Sequence, residues 1–178
     1  FVNAMQAVAD TPTSIPARQT LLSQAQTLVD RLKSYDDSLQ SFDAQVNASI
    51  ETEADTVTSI ARSIAQLNQQ ITNGYAQTGQ PPNDLMDQRD RLVDELATHI
   101  NVNVVEQSDN SVNVFIGNGQ PLVVGQTAAT VVTSADPYDP TRNIVAVRSA
   151  HGEIDITNSL SGGTLGGETS GHLLSLDH

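Results

Sequence analysis

The feature that most constrains this chain is a run of 57 residues, 17–73, that contains neither proline nor glycine. Within it, apolar residues recur at alternating intervals of four and three, which is the a/d heptad spacing of a coiled coil. The regular part of this stripe comprises Leu21, Ala25, Leu28, Leu32, Tyr35, Leu39, Phe42 and Val46. At about 1.5 Å per residue, such a helix extends over roughly 85 Å. We therefore predict a long helix that cannot bury its stripe against itself.

The stripe changes phase near its middle and then continues. Two successive intervals of four, at residues 42–46–50, are typical of a stutter, which locally unwinds a supercoil. The second part comprises Ile50, Val57, Ile60, Ile64, Leu67 and Ile71. We expect Ser14 to cap the start of the helix, with Pro16 close to the first helical position. The pair Asn73-Gly74 is expected to end it.

Two shorter helices are predicted on either side of the long one. Residues 1–9 have their apolar side chains on one helical face, and this helix ends before Pro12 because the residue before a proline disfavours the α region. After a turn at 74–82, Asn83 or Asp84 is expected to cap a helix that runs to residue 99. Because the turn is short, this helix is antiparallel to the long one and covers less than a third of its stripe. We expect other helices, from further parts of this chain or from neighbouring subunits, to cover the remainder.

The pattern changes after residue 100, where β-branched residues begin to alternate with polar ones. About six short strands are predicted, with Asn118-Gly119 as a hairpin turn. The glycine-rich segment 161–171 is expected to be a flexible tail. The predicted fold class is therefore α+β. A long antiparallel coiled-coil helical hairpin or bundle over residues 1–99 is followed by a small antiparallel β domain over residues 100–178.

Composition excludes several classes of protein. The 21 Asp+Glu and 8 Lys+Arg give a net charge of −13, and a negative surface repels the phosphates of nucleic acids and anionic membranes. Cysteine is absent, which excludes disulfides, thiol catalysis and cysteine-based zinc sites. No run of 18 or more uncharged apolar residues exists, so no transmembrane segment is predicted.

The densest group of ionisable residues lies on the third predicted helix. It comprises Asp84, Asp87, Arg89, Asp90, Arg91, Asp94 and Glu95. General acid–base catalysis needs a cleft that shifts the pKa of one carboxyl, and an open amphipathic helix supplies none. We therefore interpret this group as a solvated, salt-bridged face, with a hydrolase site as a weak alternative.

The four histidines of the chain are His99, His151, His172 and His178, and no two of them have metal-ligand spacing. Glu95 and His99 are four residues apart and could hold a zinc ion. A surface salt bridge is the preferred interpretation, because a protonated histidine is favoured at a helix C-terminus. We predict no catalytic residue, no metal and no cofactor.

Five strings in the sequence carry a family resemblance. They are PTSIPARQ at 12–19, IAQLNQQI at 64–71, PNDLMDQRD at 82–90, GQPLV at 119–123 and GGTLGG at 162–167. In this order they resemble FlgK, the family of bacterial flagellar hook-associated protein 1. The resemblance runs over residues 1–125 and recurs at 160–167.

The resemblance implies a structural role without enzymatic activity. Members of this family form a ring of subunits at the junction between flagellar hook and filament. Their neighbours are the hook protein and hook-associated protein 3, and they leave the cell through the flagellar type III export channel. The resemblance further implies that residues 1–99 match a helical core domain and residues 100–178 an outer β domain.

Because the chain begins with Phe1 rather than methionine, we expect it to be part of a longer protein. The family's N-terminal segment and C-terminal helix would then pair with the long helix, and this part is not expected to polymerise by itself. The alternative to a flagellar role is a secreted coiled-coil adhesin or cap protein that binds an external ligand through its β domain.

Two sets of residues are expected to serve assembly. Those that pack between helices or subunits are Leu21, Leu28, Leu32, Tyr35, Leu39, Phe42, Ile60, Ile64 and Leu67. Those that cap helices or fix the hairpin are Ser14, Asn83, Asp84, Asp87, Arg89 and Asp90.

Overall fold

The computed structural model describes residues 1–150 and 152–174, and within them it contains four α-helices and seven β-strands. The helices are α1 (Val2–Asp10), α2 (Ile15–Thr78), α3 (Asn83–His99) and α4 (Gly163–Leu174). The strands are β1 (Val102–Glu106), β2 (Val112–Ile116), β3 (Gln120–Val124), β4 (Thr127–Ala128), β5 (Thr130–Ala135), β6 (Asn143–Ser149) and β7 (Gly152–Asp155), and a 3-10 helix follows at Thr157–Ser159.

The strands form two antiparallel sheets. The first has the order β1-β2-β3-β4 and the second the order β5-β6-β7, so each strand pairs with its neighbour in the chain. The turn between β2 and β3 is the predicted Asn118-Gly119 hairpin, in which Gly117 and Gly119 adopt positive φ angles of 54° and 90°. The long helix and the small antiparallel sheets confirm the α+β fold class.

The chain divides into two compact units, the first spanning Phe1–Ala44 and the second beginning at Gln45. In the first unit, Ala4 of α1 is buried, and Phe1 lines a cavity of about 350 Å³ together with Leu28 and Arg31 of α2. The turn between α1 and α2 is held by Arg18, whose Nε donates to the carbonyl of Pro12 at 2.7 Å.

The second unit contains the main hydrophobic core. The later part of α2 contributes Ile50, Ala54, Val57, Ile60, Ala61, Ile64 and Ala65 to it. Leu96 of α3, Ile100, and Leu165 of α4 join them, together with inward-facing valines of both sheets. We expected other helices to cover the part of the stripe that α3 leaves open. From Ile50 onward the two sheets cover it as well, so that expectation is wrong for this half.

Helices α2 and α3 form the predicted antiparallel hairpin. They are joined at residues 79–82, and at the opposite end Nδ1 of His99 lies 2.7 Å from Oε2 of Glu53. His99 therefore pairs with α2, and its predicted salt bridge with Glu95 is not formed. The two side chains are about one-fifth exposed.

The predicted end of the long helix is wrong. Instead of stopping at Asn73-Gly74, α2 continues for another turn to Thr78. It ends at Gly79, whose φ of 66° is the left-handed conformation that commonly terminates helices and whose N–H donates to the carbonyl of Tyr75 at 2.8 Å. One glycine inside a long helix costs only about 1 kcal/mol relative to alanine, and neighbouring turns outweigh it.

The predicted flexible tail at 161–171 is also wrong for the residues that the structure describes. Helix α4 begins at Gly163, and Leu165 at its start is fully buried in the core. Packing of this leucine compensates for the poor helix propensity of the neighbouring glycines. His151 and His178 lie outside the described residues.

Candidate assembly surface

The apolar stripe of α2 remains uncovered over most of the first compact unit. We call this part the exposed stripe, and it consists of Leu28, Leu32, Tyr35, Leu39 and Phe42, which are 42%, 58%, 67%, 65% and 60% exposed. Leu21, at the start of the same stripe, is half-buried. A contiguous apolar face of this kind is typical of an interaction site, whereas singly scattered apolar residues are not.

Exposure of the stripe ends where its phase changes. Val46 is half-buried, and Ile50 is completely buried. Ile60 and Ile64, which we expected to pack between helices or subunits, lie in the core of the second unit, and Leu67 is half-buried. Ile60 and Ile64 therefore pack within the chain, and the exposed stripe is the part of the predicted set that is available to a partner.

The buried face of α2 also carries polar side chains that bond the main chain of the strands. The amide of Asn68 is completely buried, and its Nδ2 donates to the carbonyls of Val112 and Gly125 at 2.8 and 2.6 Å. Its Oδ1 accepts from the N–H of Val112 at 3.1 Å. The hydroxyl of Thr58 donates to the carbonyl of Val131 at 3.2 Å and accepts from its N–H at 2.9 Å.

A third polar side chain of α2 holds a loop of the second sheet. Asn47 donates from Nδ2 to the carbonyl of Thr141 at 2.7 Å, and its Oδ1 accepts from the N–H of Asn143 at 3.0 Å. The apolar positions of the sequence do not predict the roles of these three polar residues. A signal was present, since Asn68 lies four residues after Ile64 and three before Ile71 and is therefore on the core face.

Arg89 occupies a buried position rather than the solvated face that we predicted for the charged residues of α3. It is 2% exposed, and its Nε and Nη2 donate to Oδ1 of Asp90 at 3.0 and 2.7 Å. Its Nη1 donates to the carbonyl of Asn110 at 2.7 Å, which ties α3 to the turn between β1 and β2. In that turn, hydrogen bonds from the hydroxyl and the N–H of Ser111 lower the pKa of Asp109.

Of the expected helix caps, the one at Ser14 is formed and those at Asn83 and Asp84 are not. Ser14 precedes α2, and its Oγ accepts from the N–H of Ala17 at 3.4 Å. Asn83 and Asp84 do not cap α3, because the helix begins at Asn83 with Pro82 in the cap position and no side-chain hydrogen bond there. Asp84 lies in the first turn, where a carboxylate interacts favourably with the helix dipole.

The acidic residues of α3 do not form a cleft. Asp84, Asp87, Asp90, Asp94 and Glu95 are all exposed on the helix surface. Among the side chains that the structure describes, no three of His, Asp or Glu come together as a metal site would require. None of the helices in the described part has both the length and the apolar character needed to cross a membrane.

Comparison with known proteins gives consistent matches. The family described as "Flagellar hook-associated protein FlgK helical domain" matches residues 1–174. "Flagellar hook-associated protein 1" of Salmonella typhimurium is 38% identical over 171 residues, and that of Escherichia coli K12 is 36% identical. In both comparisons the match covers 94% of this chain.

A solved structure is similar over the same extent. The flagellar hook junction protein FlgK from Burkholderia pseudomallei has a TM-score of 0.84 and 34% sequence identity, and 94% of this chain is covered. This chain spans 31% of the length of that protein and of each curated relative.

Proposed function

This chain belongs to the FlgK family of flagellar hook-associated proteins, and on that premise we propose that it is a structural part of the bacterial flagellum. Its role would be at the junction of hook and filament, since the Burkholderia relative is named as a hook junction protein. The observation that carries the proposal is the exposed stripe, together with identities of 34–38% to proteins of this name.

We propose that assembly covers the exposed stripe. Five large side chains that are 42–67% exposed on one helix face make a surface that favours burial against other helices. These helices would come from neighbouring subunits or from further parts of the same protein. Because these leucines are 42–65% exposed, full burial of each would contribute about 1–2 kcal/mol to the assembled state.

The proposed partners are other flagellar proteins. Copies of the protein itself would form a ring, with the hook protein and hook-associated protein 3 as neighbours. The protein would reach this extracellular position through the flagellar type III export channel. The acidic side chains of α3 are exposed on an open helix surface rather than in a cleft. This supports a role in binding other proteins rather than in catalysis.

We also propose a division of labour along the chain. Residues 1–99 would act as a helical core domain that carries the assembly surface, and residues 100–178 as an outer β domain. In support, the exposed stripe lies wholly within residues 1–99. No observation favours the adhesin alternative.

Deletion of the gene tests the proposed function. We expect electron micrographs of the deletion strain to show hooks without attached filaments, and expression of the wild-type gene from a plasmid to restore the filaments. Normal filaments in the deletion strain, with normal swimming, would contradict the proposal.

A further inference from the structure

We propose that Asn47, Thr58 and Asn68, which we call the register contacts, fix the axial position of the later part of α2 against the two sheets. All three lie in the second compact unit and bond the main chain of residues in or beside the strands. Their proposed role is to select one register among several that the apolar core alone would tolerate. This inference does not depend on the proposed function.

The spacing of the register contacts matches the helix repeat. Asn47 and Thr58 are eleven residues apart, and Thr58 and Asn68 are ten apart. At 3.6 residues per turn, both intervals correspond to about three turns, so the three side chains lie along one face of α2. They therefore contact the β part at successive levels of the helix.

Each register contact both donates a hydrogen bond to the main chain and accepts one from it. Asn68 accepts from the N–H of Val112 and donates to the carbonyls of Val112 and Gly125. Thr58 bonds both main-chain groups of Val131, on β5 at the edge of the second sheet. Buried main-chain groups left without a partner are costly. These bonds form together at one axial position of α2 against the sheets, so that position is favoured.

The apolar face of α2 is less selective, because it repeats every seven residues. Its fully buried residues include Ile50, Val57, Ile64 and Ile71, at successive intervals of seven, and Ala54 and Ala61 are likewise seven apart. A slide of α2 by one heptad, about 10 Å, would therefore place a branched aliphatic side chain at three of these four aliphatic positions and alanine at one of the two alanine positions.

The same slide would remove the polar contacts of Thr58 and Asn68, and Gln40 or Ala54 would replace Asn47. Depending on its direction, Glu51 or Ala65 would replace Thr58, and Ala61 or Tyr75 would replace Asn68. Alanine has no side-chain donor or acceptor, an ionised glutamate only accepts, and the hydroxyl of tyrosine lies much farther from the helix than the amide of asparagine. A buried polar residue that specifies register within a repetitive apolar seam is well established for coiled coils, and here the partner is a sheet.

A distance measurement between spin labels tests this inference. The chain has no native cysteine, so two engineered cysteines can be labelled selectively. Gln66 on α2 is paired once with Asn103 on β1 and once with Ser134 on β5, and all three residues are exposed. All three register contacts are then replaced in the full chain by the substitutions Asn47→Leu, Thr58→Val and Asn68→Leu.

A matched control changes a threonine and two side-chain amides of the same helix without touching the strands. Thr56 donates its hydroxyl to the carbonyl of Thr52 in its own helix, and Gln69 and Asn73 are exposed. In the Thr56→Val, Gln69→Leu and Asn73→Leu control we expect the wild-type distance distribution for both label pairs. In the register variant we expect a second population, displaced along the helix by up to about 10 Å, or a clearly broader distribution.

An unchanged single distance in the register variant would overturn the inference, because the apolar core would then set the register alone. If that variant does not fold, Thr58→Val and Asn68→Asp are measured separately with the same label pairs. Asp at position 68 keeps the shape and can accept from Val112, but it cannot donate to the carbonyls of Val112 and Gly125. Unchanged distances in both single variants would likewise overturn the inference.

Discussion

At the scale of single residues, Gly163 shows how closely the last helix approaches the hairpin. Its φ is 66°, and a Cβ built on it would clash with the carbonyl group of His99. Gly167, one turn later in α4, has open space where a Cβ would be. The same residue type therefore has opposite roles at the two positions.

We predict opposite effects of alanine at these two glycines. Gly163→Ala combines a strained backbone with a main-chain clash and should lower the free energy of unfolding by at least about 2 kcal/mol. Gly167→Ala should raise it by roughly 0.5–1 kcal/mol, because alanine is the better helix former. Denaturant unfolding followed by circular dichroism measures both changes, and equal effects of the two substitutions would contradict the close approach of α4 to α3.

A second residue-scale prediction concerns Arg89, the buried guanidinium that joins α3 to Asn110. Arg89→Ala should lower the free energy of unfolding by about 1–3 kcal/mol, because a part-buried carbonyl loses its donor and a packed, buried side chain is removed. The matched control Arg91→Ala, at an exposed position of the same helix, should change it by less than about 0.5 kcal/mol. Similar losses in the two variants would show that Arg89 has no special structural role.

At the scale of elements, α2 carries one sequence pattern and has two environments. The stripe is exposed from Leu28 to Phe42 and buried from Ile50 onward, and the two intervals of four lie between these parts. The phase change therefore coincides with the change from an exposed to a buried stripe. Before it, the stripe has the spacing of a coiled-coil seam, and after it, the stripe packs against α3 and the sheets.

The end of α2 gives the element-scale prediction. Gly74 is now inside the helix, and a Cβ there would make an ordinary contact with Pro82 at 3.4 Å, so Gly74→Ala should stabilise the protein by about 0.5–1 kcal/mol. Gly79 has a positive φ, so Gly79→Ala should destabilise it by about 1 kcal/mol. Thermal unfolding of both variants measures the signs, and a reversed order would place the helix end at Gly74.

The sequence predicts well those elements whose residues carry their own signal. The heptad spacing predicts α2 and its stripe, and the Asn118-Gly119 pair predicts the β2–β3 hairpin. Helix α4 could not be predicted, because its stability depends on burial of Leu165 by distant parts of the chain. The role of Asn68 was missed for a related reason, since its partners in the strands are more than forty residues away.

At the scale of the whole molecule, the two compact units differ in how completely they bury their apolar residues. The unit that begins at Gln45 has a core made of helices and both sheets. The unit Phe1–Ala44 buries Ala4 but leaves the exposed stripe uncovered. We therefore propose that the second unit is the stable scaffold and that the first supplies the surface for assembly.

The central claim is that the exposed stripe is an assembly surface, and placing charge on it tests that claim. In the chromosomal gene, Leu28→Asp and Leu32→Asp would put two carboxylates on the stripe, where burial of an unpaired charge is strongly unfavourable. The control, Ser23→Asp and Ser34→Asp, adds the same charge at exposed positions on the opposite side of α2.

Electron microscopy of the flagella is the decisive measurement, with the exported protein quantified in the culture medium. We predict hooks without filaments for the Leu28→Asp and Leu32→Asp strain, and filaments of normal length for the Ser23→Asp and Ser34→Asp strain. Normal filaments in both strains would contradict the account, because the exposed stripe would then not be buried on assembly.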